Sequence, residues 1–73
     1  MTPRNKAINL YEDYFYNIPA LSDEGLYEHL LAKKLSLIAV NEILNAITEL
    51  GDSAYYLDLK NYWQEVKQEI EKL

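Results

Sequence analysis

From Glu24 to Leu50 the chain contains no proline, and Gly51 follows as a natural C-terminal stop. The run predicts one helix over 24–50, about 40 Å long at 1.5 Å per residue. Ser22 or Asp23 can serve as its N-cap, and Asp23 and Glu24 place negative charge at the positive end of the helix dipole. Everything else in a small protein has to be arranged around such a rod.

The apolar face of this rod shifts along its length. With residues set at 100° steps, Leu37, Ala39, Val40, Ile43, Leu44, Ala46, Ile47 and Leu50 fill one arc of the second half, and Asn41, Glu42, Asn45, Thr48 and Glu49 fill the other. In the first half Tyr27, Leu30, Leu31, Leu35 and Ile38 occupy a different arc, largely the one that later turns polar. A helix with one packing partner shows one stripe. Two offset stripes imply either different neighbours for the two halves or a bend near Lys33 to Ser36. No helix breaker stands there, so different neighbours are the expectation.

Two shorter helices flank the rod. Thr2 and Pro3 form a start signal, and Ala7, Leu10, Tyr11, Tyr14, Phe15 and Ile18 recur at three- and four-residue steps until Pro19, predicting a helix over 3–17. Tyr55, Leu59, Tyr62, Val66, Ile70 and Leu73 repeat at helical spacing and predict a third over 55–72. Its opposite face, Lys60, Asn61, Gln64, Lys67, Gln68 and Glu71, reads as solvated surface. Asp52-Ser53 or Asp58 can cap its start. No two-residue alternation appears, so the fold class is all-α: an antiparallel three-helix bundle, one domain over 1–73. The outer helices should reach only half to two-thirds of the rod.

A chain of 73 residues draws only about 3–5 kcal/mol of net stability from one core. Cysteine is absent, so disulfides and thiolate zinc sites are excluded, and nothing argues for secretion. With the usual supplements missing, a rod apolar around much of its girth predicts burial against a second copy, a homo-oligomer. The alternative is a monomeric bundle in which both outer helices cover the rod. No apolar run suits a membrane span or a signal peptide. A formal charge of −5 disfavours duplex nucleic acid as a partner, because phosphate contacts need clustered Lys and Arg.

Chemistry is hard to find. His29 is the only histidine, and no HxxxH or ExxH spacing surrounds it, so neither a metal site nor a cofactor is expected. Glu24 and Glu28 could share a cation, but a solvated first turn accounts for them better. Ser22, Ser36 and Ser53 lack the glycine-rich elbow of a nucleophile, and both glycines are isolated. Adjacent acids such as Glu12-Asp13 diverge by 100° on a helix and cannot flank one bond. The expectation is a non-enzymatic protein with no catalytic residues.

Aromatic content stands out: seven Tyr, one Trp and one Phe. Tyr16 points away from the first helix's apolar face, and Tyr56 and Trp63 form a shoulder beside the third helix's stripe. Tyrosine and tryptophan suit interfaces, and they stack on nucleobases. Tyr27, Lys34 and Asn41 follow one line of the rod at seven-residue steps, a ridge able to read a ligand. The plainer reading of that ridge is a boundary strip along a helix interface.

Thr2-Pro3 with Lys6-Ala7 and Tyr14, the stretch Ala32-Lys33-Lys34 with Leu37 to Ile43, and the closing run Tyr62 to Leu73 (YWQEVKQEIEKL) carry a resemblance. They resemble a group of short proteins encoded by phages and prophages of Bacteroidota such as Flavobacterium. The likeness covers most of the chain outside 19–30 and 51–60. The chain departs in having Leu35-Ser36 where such proteins often carry Cys-Ala, and Asn41 where they often carry Asp. No activity comes with the resemblance. It implies a phage protein working in the cytoplasm of an infected or lysogenic host, where small non-catalytic proteins commonly act by binding. In size, expected self-association and aromatic content the chain is similar to the sponge proteins that counter CBASS and Thoeris defence by sequestering cyclic nucleotides.

Three functions compete on this reading. A nucleotide sponge at an oligomer interface would use Arg4, Lys33 or Lys34 for phosphates and Tyr27, Tyr56 or Trp63 for base stacking, with Asn41 a further ligand-binding candidate. A protein-binding inhibitor of a host nuclease or regulator would gather Glu12, Asp13, Glu24, Glu28, Glu65, Glu69 and Glu71 on one exposed face. A structural assembly module needs the apolar stripes alone.

Overall fold

The computed structural model describes residues 1–19, 25–51 and 53–73. Three helices pack against one another: α1 (Pro3–Phe15), α2 (Leu26–Leu50) and α3 (Ala54–Glu71). No strand occurs among the described residues, in keeping with the all-α expectation.

Local chemistry sets each helix end. Thr2 Oγ1 accepts from the Asn5 amide at 3.1 Å, and Pro3, which has no amide hydrogen to satisfy, occupies the first helical turn. α1 ends at Phe15, two residues earlier than expected. Tyr16 to Ile18 tighten into a turn, with Asn17 N–H donating to the Tyr14 carbonyl at 3.2 Å and Ile18 N–H to that of Phe15 at 3.4 Å. Pro19 forces this early exit by disfavouring helical geometry at Ile18.

α2 begins at Leu26 instead of residue 24, because Gly25 takes a left-handed conformation (φ 71°) that no helix continues through. The caps expected at Ser22 and Asp23 lie outside the described residues. Gly51 ends the helix as expected, at φ 120°. α3 spans 54–71 instead of 55–72: Ser53 Oγ accepts from the Tyr56 amide at 3.4 Å, which draws Ala54 and Tyr55 into the first turn, and Lys72 serves as C-cap.

Lys33 of α2 reaches the Glu71 carbonyl, while Ile47 and Thr48 at the other end of α2 face Tyr56, Leu57 and Lys60. α2 and α3 therefore run antiparallel. α1 lies alongside α3 in the same direction, with Met1 near Tyr62 and Arg4 near Glu69. Its 13 residues cover about half the length of the 25-residue α2, and the 18 of α3 rather more. The last turns of α2 and the first of α3 extend beyond α1, and Leu50, Tyr55 and Leu57 are exposed there. Leu50 and Tyr55 were expected on packed faces; no third helix reaches them.

Ala7, Val40, Val66 and Ile70 form the buried centre, with Leu10, Leu37, Leu44, Tyr62 and Trp63 packed around it. Along α2 the buried row is Glu28, Ala32, Ser36, Val40 and Ile47. Small residues at 32 and 36 let neighbouring backbones approach closely, and Ser36 satisfies its buried hydroxyl by donating to the Ala32 carbonyl at 2.8 Å. Two expectations change here. Glu28, read as part of a solvated first turn, is only 5 % exposed, because it heads this inward row at four-residue spacing. The apolar arc of the first half is packed only in part: Leu31 and Leu35 are half-buried, while Tyr27, Leu30 and Ile38 are 56 %, 57 % and 46 % exposed. The other helices seat the small-residue row and cover the bulky one only at Leu31 and Leu35.

Candidate surface and its hollows

The outward face of α2 collects Tyr27, Leu30, Leu31, Lys34, Ile38 and Asn41 within an arc of roughly 100° at 100° per residue. Tyr27, Leu30, Leu31 and Lys34 line a hollow of about 240 Å³. The lining brings together one aromatic ring, two leucines and one lysine. A second hollow, about 150 Å³, lies where α1 does not reach, between Ile47, Thr48 and Gly51 on one side and Tyr56, Leu57 and Lys60 on the other. Both volumes fall below the roughly 300 Å³ at which sites for drug-sized ligands begin. A hollow of this size holds part of a ligand, or becomes a full site when another surface closes over it.

The seven candidate binding residues separate into groups. Tyr27, Lys34 and Asn41 share the outer face of α2. Tyr56 lines the second hollow. Arg4 and Lys33 are engaged with the end of α3: the Arg4 guanidinium lies 3.7 Å from Glu69 Oε2, and Lys33 Nζ donates to the Glu71 carbonyl at 2.8 Å. Trp63, expected as a shoulder beside the α3 stripe and a candidate for stacking, is half-buried against the core, with its ring edge-on to Tyr62 and Lys6 Nζ 5.9 Å from the ring centre. Sequence reading missed Thr48 and Lys60, both placed on solvated faces. The available signal was Lys60 one turn after Tyr56, which puts a cation and an aromatic ring side by side on α3.

Acids are dispersed. Glu12 and Asp13 lie on α1, Glu42 and Glu49 on α2, and Asp58, Glu65, Glu69 and Glu71 on α3, while Glu28 is buried and Glu24 lies outside the described residues. Glu69 also meets Lys72 at 3.4 Å, so much of its charge is locally compensated. Among the described residues no group of three or more His, Asp and Glu side chains could hold a metal ion, and no helix is long and apolar enough to cross a membrane. Ser53 is occupied as a cap and Ser36 is enclosed in the packing.

Tyr11 and His29 form a polar tie between α1 and α2. The Tyr11 hydroxyl and His29 Nδ1 are 2.5 Å apart, and the two rings meet edge to face. Burial, and secondarily the nearby Tyr16 phenol, raise the Tyr11 pKa above its ordinary 10.0. Comparison of the chain with protein-family models, curated proteins and solved structures finds no match.

Proposed function

We propose that the protein is a non-enzymatic binding protein that acts as a homo-oligomer and sequesters a cyclic nucleotide, with Tyr27 stacking on a base and Lys34 pairing with a phosphate. One observation carries this reading: an exposed aromatic ring and a free-standing cation flank the same apolar hollow on the uncovered face of α2. Base stacking on an aromatic face is worth about 1–3 kcal/mol and needs no sequence-specific hydrogen bond. A single Lys beside apolar walls attracts phosphate despite the acidic net charge, because fields from distant charges are screened beyond about 10 Å. The resemblance to phage proteins supports a host signalling nucleotide as the ligand, and with it a role against anti-phage defence.

The site proposed here rests on Tyr27 and Lys34, whereas Arg4 and Lys33 contact the end of α3 and Trp63 packs beside the core. The test is a thermal-shift panel of cyclic mono-, di- and trinucleotides. A binder present at 100 times its Kd should stabilise the fold by about 2.7 kcal/mol. The shift should disappear in Tyr27→Ala and Lys34→Ala. If no member of the panel raises the melting temperature, the nucleotide reading is wrong.

A further inference from the structure

We infer that the hollow between the end of α2 and the start of α3 binds a small apolar carboxylate, a single ring or branched chain carrying one negative charge. Its walls come from matching positions on the two helices. Ile47, Thr48 and Gly51 stand at the last turn and cap of α2, and Tyr56, Leu57 and Lys60 at the first turns of α3, each set spaced i, i+1 and i+4. That spacing holds three residues within about 100° of arc, and antiparallel packing brings the two arcs around one space. α1 does not fill it, since Met1 lies beside Tyr62, further along α3. Gly51 brings no side chain, and a Cβ built there would meet nothing within 4 Å, so that wall stays open.

The volume of about 150 Å³ sets the size of the occupant. A nucleotide or a drug-sized molecule would enter only in part, but an apolar cavity of about this volume takes up a whole benzene ring. Ile47, Leu57 and the ring of Tyr56 make most of the wall apolar, so the enclosed part of the ligand is hydrocarbon. The site shares no residue with the Tyr27–Lys34 hollow and stands whether or not that hollow takes a nucleotide.

Lys60 sets the charge. It is half-buried, and no carboxylate lines the hollow with it. Its neighbours three and four positions away on α3, Tyr56, Leu57, Trp63 and Gln64, carry no charge, and among the described residues its ammonium has no ion-pair or hydrogen-bond partner. An ammonium drawn partly out of water without a counter-charge is costly, and an anion beside it relieves that cost. One cation matches one negative charge. A phosphate dianion would leave charge uncompensated against apolar walls, in a chain that already carries −5. The Thr48 hydroxyl donates to the Leu44 carbonyl at 2.9 Å, so it offers a ligand an acceptor only, and Lys60 is the cationic donor.

The test follows backbone amide chemical shifts of the isotope-labelled full chain during titration with benzoate. Benzoate should move the amides of the six lining residues along one saturating curve, with a Kd of about 10 mM or tighter, a modest efficiency per atom for so small a ligand. Acetate keeps the charge and lacks the ring, and benzamide keeps the ring and lacks the charge. Each should bind at least about tenfold more weakly than benzoate. Lys60→Met retains the stem and removes the ammonium, and should bring benzoate down to the benzamide level. Should that variant lose its helical circular dichroism, the comparison of the three ligands on wild type decides alone. The proposal is overturned by any of four results: no saturation with benzoate, saturating shifts on residues 27–38 in its place, benzoate no tighter than benzamide, or unchanged benzoate affinity in folded Lys60→Met.

Discussion

The Tyr11 hydroxyl stands 2.5 Å from His29 Nδ1, joining the last turns of α1 to the first turn of α2. With the ring proton on Nε2, the phenol donates and the imidazole Nδ1 accepts. Tyr11→Phe keeps the ring contacts with Phe15 and His29 but removes the donor. Urea unfolding at pH 7 should show a loss of about 1 kcal/mol. The alkaline limb is a second readout. The folded-state pKa of Tyr11 is raised above 10.0, so its contribution is intact below pH 10 and is lost as pH climbs through the raised value. Tyr11→Phe should flatten that part of the stability profile.

Gly25 and Gly51 bound α2, and they differ in how much a side chain would cost. Nothing lies within 4 Å of a Cβ built at either position, so backbone conformation alone decides. Gly25 sits in the left-handed helical region (φ 71°, ψ 7°), where a non-glycine residue costs about 1–2 kcal/mol. Gly51 (φ 120°, ψ −169°) occupies a region nearly reserved to glycine, with a cost of about 1–3 kcal/mol. Thermal melts should therefore rank wild type above Gly25→Ala, and Gly25→Ala above Gly51→Ala. The reverse order would mean the turn after α2 relaxes freely.

Ile70 and Tyr55 sit at opposite ends of α3 and predict opposite outcomes on truncation. Ile70 is fully buried in the shared centre of the bundle, so Ile70→Ala should cost about 2–5 kcal/mol. Tyr55 is exposed past the reach of α1, and Tyr55→Ala should stay within about 0.5 kcal/mol of wild type. Chemical denaturation of the two variants checks both values.

These contrasts show which parts of the structure the residues announced. Periodicity and capping chemistry located all three helices: Thr2, Pro3 and Gly51 act as their side chains and backbone freedom require, and Val66 and Ile70 are buried as their spacing implies. The face of α2 that packs was harder to see. A hydropathy reading looks for large apolar side chains, whereas Ala32 and Ser36 are chosen here for the close approach they allow, and Leu30 and Ile38 are left outside. Glu28 was misread for the same reason, because a carboxylate in an inward row is invisible to a rule that sorts by polarity. Tyr27, Lys34 and Asn41 did read correctly as one line, since seven-residue steps hold whatever the helix packs against. Trp63 sits half-buried beside the stripe as its spacing implies, while its contacts with Lys6 and Tyr62 depend on how α1 lies on α3, which spacing within one helix does not encode.

The four cations Arg4, Lys33, Lys34 and Lys60 supply the last contrast, because equal charge does not mean equal availability. Arg4 is held near Glu69, and Lys33 donates to the Glu71 carbonyl, so a phosphate would have to displace a partner from each. Lys34 is exposed and lines the larger hollow, and Lys60 lines the smaller one with Tyr56. For a cyclic nucleotide that stabilises the protein, Lys34→Ala should remove the shift, whereas Arg4→Ala and Lys33→Ala should leave it within error of wild type. Lys60→Ala separates the two hollows: an intact shift keeps the ligand on the outer face of α2, and a lost one moves it to the cleft between the end of α2 and the start of α3. The measurement is the change in melting temperature at fixed ligand for each variant, referred to its own unliganded melt, so that any change in intrinsic stability cancels.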